Sequence, residues 1–113
     1  MATLATPTTP TVAVLRLQGE LGPSEMDSLT RLLTDMLVEG RHQVVLNLKQ
    51  VTHVSLGGIA KLAQRNQRFG SLGGEIKLVG LTPYVANLFT LVGAFSQFDT
   101  SSSEEEAIAR FEG

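Results

Sequence analysis

The sequence predicts a single α/β domain: a mostly parallel sheet of four to five strands with about four flanking helices. Three observations carry that expectation. Short β-rich apolar runs alternate with segments whose apolar residues recur at helical spacing, and the strand-then-helix order repeats four times. The helical runs are punctuated by start and stop residues, a Pro or Ser at the opening or a Gly just past the end. No linker, composition shift or repeat of solenoid period divides the 113 residues, a length suited to one domain.

The elements follow in order. Val12 to Leu17 alternates around Val14 and Leu15 and reads as a strand, ended by Gly19-Glu20-Leu21-Gly22. Pro23 suits a first helical turn, where its missing N–H has no partner to lose. Met26, Leu29, Leu32, Leu33, Met36 and Leu37 carry that helix to Glu39, and Gly40 stops it. Gln43 to Leu48 is a compact apolar strand of the kind buried on both faces of a sheet. Leu56 to Phe69 forms the second helix, with Ser55 as N-cap. Gly70 to Gly74 is a turn, Glu75 to Val79 a strand, and Thr82-Pro83 opens a third helix through Val85, Leu88, Phe89 and Val92, closed by Gly93. Ser96 to Asp99 reads as a short strand. Ser102 or Ser103 with Glu105 or Glu106 then caps a last helix bearing Ala107, Ile108 and Phe111. Residues 1–10, rich in Thr and Pro, form a flexible arm or a short edge strand near Thr3 to Ala5, and residues 11–113 form the domain. The expected core comprises Val14, Leu15, Leu29, Leu33, Val44, Leu46, Ile59, Leu62, Ile76, Leu78, Leu88 and Phe111.

Composition narrows the function. Apolar residues make up 42% and charged residues 18%, as in a water-soluble globule, and with aromatics at 5% the core must be largely aliphatic. A net charge of −2 offers no general attraction to nucleic acid or anionic membranes. Without Cys there is neither a disulfide framework nor a thiolate metal site. Apolar stretches are interrupted well short of the ~20 residues of a membrane span. The N-terminus lacks a basic region and does not read as a secretory signal, so the cytoplasm is the default compartment.

The sequence carries no catalytic pattern. His42 and His53 are far apart and belong to no ligand-spaced pair, so each reads as a loop or strand-end residue. Metalloprotease, nucleophile-elbow, phosphate-loop and dinucleotide patterns are missing, and no cofactor or metal is expected. Glu104 to Glu106 complements the dipole of a helix N-terminus.

One junction is unusual: Thr52-His53-Val54-Ser55-Leu56-Gly57-Gly58-Ile59. A strand-to-helix turn needs an N-cap, and Ser55 supplies it. It does not need two glycines in the first turn, each costing ~1 kcal/mol relative to Ala. Two readings stay open: a partner approaches closely here, or Gly58 lets the helix pack tightly on the sheet. Further along, Lys61, Arg65 and Arg68 share one stripe, either a solvated face or a surface that steers an acidic protein partner.

These segments resemble the STAS domain, the family of bacterial anti-sigma-factor antagonists. The likeness is carried by Val14 to Leu21 (VLRLQGEL), Val44 to Ile59 (VVLNLKQVTHVSLGGI), Gly74 to Gly93 (GEIKLVGLTPYVANLFTLVG) and Phe98 to Phe111. The resemblance implies a mixed sheet with helices packed around it and a switch at the N-terminus of the second helix. In the family that junction commonly reads Asp-Ser-Ser-Gly or Asp-Ser-Thr-Gly. There the first Ser is phosphorylated by an anti-sigma factor that is also a serine kinase, and the unmodified form binds that anti-sigma factor. Aligned without gaps, Ser55 falls on the family's Asp, Leu56 on the phosphorylated Ser, Gly57 on the second Ser or Thr, and Gly58 on the Gly.

Only Gly58 matches. The resemblance therefore implies a non-enzymatic protein-binding module docking through His53, Ser55, Leu56, Gly57, Gly58 and Lys61, with the usual phosphoacceptor replaced by Leu56. Ser55 is the remaining hydroxyl, but as N-cap it is already engaged by a backbone N–H. Its expected partner is an anti-sigma factor or serine kinase. The alternatives are the ATPase of an ABC lipid-transport complex, with this chain as its soluble STAS subunit, or a small anion held at helix N-termini.

Overall fold

The computed structural model describes residues 2–4 and 12–112. Its elements are β1 (Ala2–Leu4), β2 (Val12–Leu21), α1 (Pro23–Val38), β3 (Gln43–Val54), α2 (Leu56–Ser71), β4 (Glu75–Val79), α3 (Pro83–Leu91), a 3-10 turn (Phe95–Gln97), β5 (Thr100–Ser101) and α4 (Glu104–Glu112). The sheet order is β1-β2-β3-β4-β5. The strands from β2 to β5 run parallel, and β1 pairs antiparallel with β2.

Parallel neighbours taken in sequence order, joined by right-handed crossovers, place every crossover helix on the same face. The packing agrees. Alternate residues of β2 and β3 (Ala13, Leu15, Leu17; Val44, Leu46, Leu48) join Ile76 and Leu78 of β4 under α1, α2 and α3. The intervening residues Val12, Val14, Val45 and Val79 face the other way and meet Ala107, Ile108 and Phe111 of α4. Strands buried on both faces explain why Val12–Leu15 and Val44–Leu46 read as continuous apolar runs.

Eleven of the twelve expected core residues are buried. The exception is Phe111, which is half-buried. It sits in the last turn of α4, where its ring covers the Lys77 ammonium, with Nζ 4.6 Å from the ring centroid. Lys77 is 5% exposed and bonds Glu75 Oε1 at 3.1 Å and Asp99 Oδ2 at 2.9 Å. Its charge is thus held by two carboxylates under an aromatic lid.

Three boundaries differ from the sequence reading. The strand expected over Ser96–Asp99 is a 3-10 turn at Phe95–Gln97, followed by the two-residue β5. Local bonds from Gln97 N–H to the Ala94 carbonyl and from Phe98 N–H to the Phe95 carbonyl prevail there. They turn Phe98 edge-on to Phe89, with centroids 5.7 Å apart. The strands expected to stop at Leu17 and Leu48 run on to Leu21 and Val54. In the N-terminal arm, Ala2, Thr3 and Leu4 pair with Leu17, Arg16 and Leu15 as an edge strand, while residues 5–10 lie outside the described residues.

Candidate functional site

Extension of the two central strands builds the site. β3 pairs with β4 only from Gln43 to Asn47, so its remaining residues keep a ladder with β2 alone and project past the sheet. Two register shifts occur in that overrun, between Arg16 and Gln18 and between Gly19 and Glu20. Each sets one extra residue of β3 against β2, the signature of a bulge. Gly19 adopts φ +82°, a left-handed conformation that only glycine adopts without strain. The first bulge leaves consecutive Lys49 and Gln50 exposed and returns Val51 to the core; the second does the same for Val54 and leaves His53 at the rim.

The strand is then clamped. Ser55 N–H donates to the Leu21 carbonyl at 2.9 Å, tying the ends of β2 and β3 together. The Ser55 hydroxyl oxygen accepts from Gly58 N–H at 3.2 Å and caps α2. Leu56, the first helical residue, therefore stands at a fixed corner. It is 45% exposed, a large apolar side chain presented to water by rigid backbone.

The two glycines have different roles. A Cβ on Gly58 would lie 2.4 Å from Met26 Cγ, 2.6 Å from Met26 Cβ and 2.7 Å from Ser55 Oγ. Met26 belongs to α1 and is 1% exposed, so Gly58 permits close packing of α2 on α1, rather than on the sheet. A Cβ on Gly57 would meet nothing within 4 Å. Gly57 is exposed, beside Leu56, and no contact within the chain calls for a glycine there.

His53 faces α3, where its Nδ1 lies 3.0 Å from the Tyr84 hydroxyl, with ring centroids 5.9 Å apart. Tyr84 is 53% exposed. It meets the junction through His53 and was missed from the sequence. Its signal was the chain's single tyrosine, set in the first turn of a short helix after Thr82-Pro83. Lys61, one turn into α2, bonds Asp27 of α1 at 2.6 Å on the surface. That bond, with the charge of Lys61, holds the Asp27 carboxyl below its usual range. Lys61 is thus occupied within the chain and stands apart from the Leu56 corner.

The junction joins a strand end, a capped helix, an exposed aliphatic residue and a His–Tyr pair. Among the described residues no group of three or more His, Asp or Glu side chains is placed to hold a metal ion. No described helix is long and apolar enough to cross a membrane.

Comparison with known proteins fixes the family. The STAS domain model matches residues 3–107. The chain belongs to the STAS domain family. Among STAS proteins, BtrV of Bordetella bronchiseptica, named as an anti-sigma factor antagonist, is 28% identical over 84% of this chain and 82% of its own. The Bacillus anti-sigma factor antagonist SpoIIAA, in its unphosphorylated form, superposes with a TM-score of 0.86 at 21% identity, covering 100% of this chain and 97% of its own. The murine anion transporter Slc26a9 contains the same fold within a larger chain. It covers 90% of this chain and 18% of the transporter, with a TM-score of 0.76 at 20% identity.

Proposed function

We propose that this chain is a protein-binding regulatory module of the anti-sigma-factor-antagonist kind, docking through the β3–α2 junction with Leu56 as its apolar anchor. The carrying observation is Leu56 itself. It is 45% exposed at the corner fixed by the Ser55 cap and the Ser55–Leu21 bond, beside a glycine whose missing side chain leaves open space. A flat glycine next to an exposed aliphatic side chain lets a partner's backbone approach and cover the leucine. Covering the exposed part of one leucine is worth roughly 1 kcal/mol. His53, Ser55 and Gly57 flank the anchor along the chain, with Tyr84 held against His53; Gly58 seats α2 on α1 behind it, and Lys61, paired with Asp27, stands apart.

Leucine has no hydroxyl, so this position takes no phosphate. The module binds constitutively or is regulated elsewhere. Ser55 is the neighbouring hydroxyl; its oxygen already accepts from Gly58 N–H as the cap of α2, and it stays unmodified under this proposal.

The test is capture of partners by the tethered chain from the cells that make it, then incubation of the purified pair with Mg-ATP and mass spectrometry. Recovery of an anti-sigma factor, with Ser55 unmodified, supports the proposal. Recovery of a transporter ATPase replaces the anti-sigma partner and keeps the docking site. Stoichiometric phosphate on Ser55 overturns the constitutive reading.

A further inference from the structure

We infer that the groove between the C-terminal halves of α1 and α2 is a second docking surface, shaped for an acidic, amphipathic helix of a partner protein. The groove has a volume of about 340 Å³ and is lined by Thr34, Leu37 and Val38 of α1 with Arg65, Arg68 and Leu72 at the end of α2. It continues along the same two helices past Thr34 and Arg65 to Arg31 and Gln64.

Two independent observations define the occupant. The first is charge. The one carboxylate lining the groove, Asp27, is bound to Lys61 and also feels Arg31, which leaves Arg65 and Arg68 as the excess positive charge. Arg65 Nε is enclosed and has no hydrogen-bond acceptor. The Arg65 side chain lines the groove, and a carboxylate is the group whose geometry matches a guanidinium fork. Arg65 and Arg68 are three residues apart on α2, so they meet acidic side chains at i and i+3 or i+4 of a facing helix.

The second observation is apolar. Val38 is 83% exposed and Leu72 53% exposed, both at the rim of this groove above the buried Leu37. A small anion would leave that rim bare, whereas the aliphatic face of a helix covers it. Nucleic acid fits poorly, with so few cations on a chain of net charge −2. None of these residues belongs to the β3–α2 junction, so the inference stands independently of the function proposed above.

The experiment uses the full chain and a fluorescein-labelled helical peptide with glutamates at i and i+3 flanked by leucines. Binding is read by fluorescence anisotropy. Saturable binding that weakens with added salt is expected. The pair Arg65→Gln and Arg68→Gln should weaken it at least about tenfold, as should Val38→Ser with Leu72→Ser. Leu56→Glu and the remote Lys49→Gln should leave it unchanged, which separates this surface from the junction. Each variant is first checked for an unaltered thermal melt. Equal binding of a peptide with glutamine for glutamate overturns the inference, as does full affinity in the arginine variant. Displacement of the peptide by an equal concentration of inorganic phosphate would make this a small-anion site instead. Concentration-dependent dimerisation of the chain alone, abolished by the arginine changes, would make the occupant a second copy.

Discussion

Replacing Gly58 and Gly57 by alanine, one at a time, should produce opposite effects from adjacent positions. An alanine methyl at Gly58 would sit 2.4 Å from Met26 Cγ and 2.7 Å from Ser55 Oγ. Carbon atoms pack at roughly 3.5–4.0 Å, so the overlap exceeds about 1 Å. Met26 is 1% exposed and has nowhere to swing, so α1 and α2 must separate or the Ser55 cap must break. Overpacking of this kind costs roughly 1–3 kcal/mol, and a lost cap adds about 1 kcal/mol. Removing glycine from a helix returns at most about 1 kcal/mol, so the net loss should be about 2 kcal/mol. At Gly57 the same methyl meets nothing within 4 Å and the backbone is helical, so Gly57→Ala should be neutral or stabilising by up to about 0.5 kcal/mol. Urea titration followed by circular dichroism measures both values, and Tm should differ between the variants by about 8 °C or more. Equal stability of the two variants would refute the division of roles. If Gly57→Ala folds as well as the parent yet binds its partner more weakly, close approach at that position is the cause.

Three further predictions concern stability. Glu104 is held to about 2, first by its hydrogen bond with Arg16 and then by Asn47, against the opposing effect of burial. A carboxyl depressed in the folded state contributes stability above the ordinary range near 4.3, and that contribution is lost as pH falls toward about 2. Glu104→Gln should therefore cost about 1 kcal/mol at neutral pH, with urea titrations of the two proteins converging near the acid limit; a gap that persists there would contradict the assignment. Lys77 has a 6% exposed side chain between Glu75 and Asp99, so Asp99→Ala should cost more, about 2–3 kcal/mol, than Lys77→Met, because it strips an acceptor from a buried ammonium and also removes the surface pair of Asp99 with Arg110. The reverse order in denaturant melts would contradict this account of the Lys77 pairs. Deleting Met1 to Thr9 removes the strand paired on β2 and should lower Tm by about 4 °C or more; an unchanged Tm would return the arm to the loose state that its composition suggests.

Much of this was legible in the residues. The α/β order follows from periodicity, and strands buried on two faces announce themselves as unbroken runs such as Val44–Leu46. The overruns of β2 and β3 were hidden because bulges break the alternation: Lys49 and Gln50 are consecutive and exposed, and Gly19 looks like a terminator although it serves a strand. Ser55 was legible as a cap because its chemistry is local. The reason for Gly58 was not, since it depends on Met26 of another helix. Tyr84 was missed for the same reason, its partner His53 being 31 positions away.

Calorimetric titration of the partner into wild-type chain and Leu56→Glu tests the central claim most directly. Leu56 is 45% exposed and is not among the buried core residues, so circular dichroism and Tm should be nearly unchanged. Binding should weaken by about 2 kcal/mol or more, roughly thirtyfold. A Leu56→Glu chain that folds normally and binds as tightly as the wild type would show that the partner docks elsewhere.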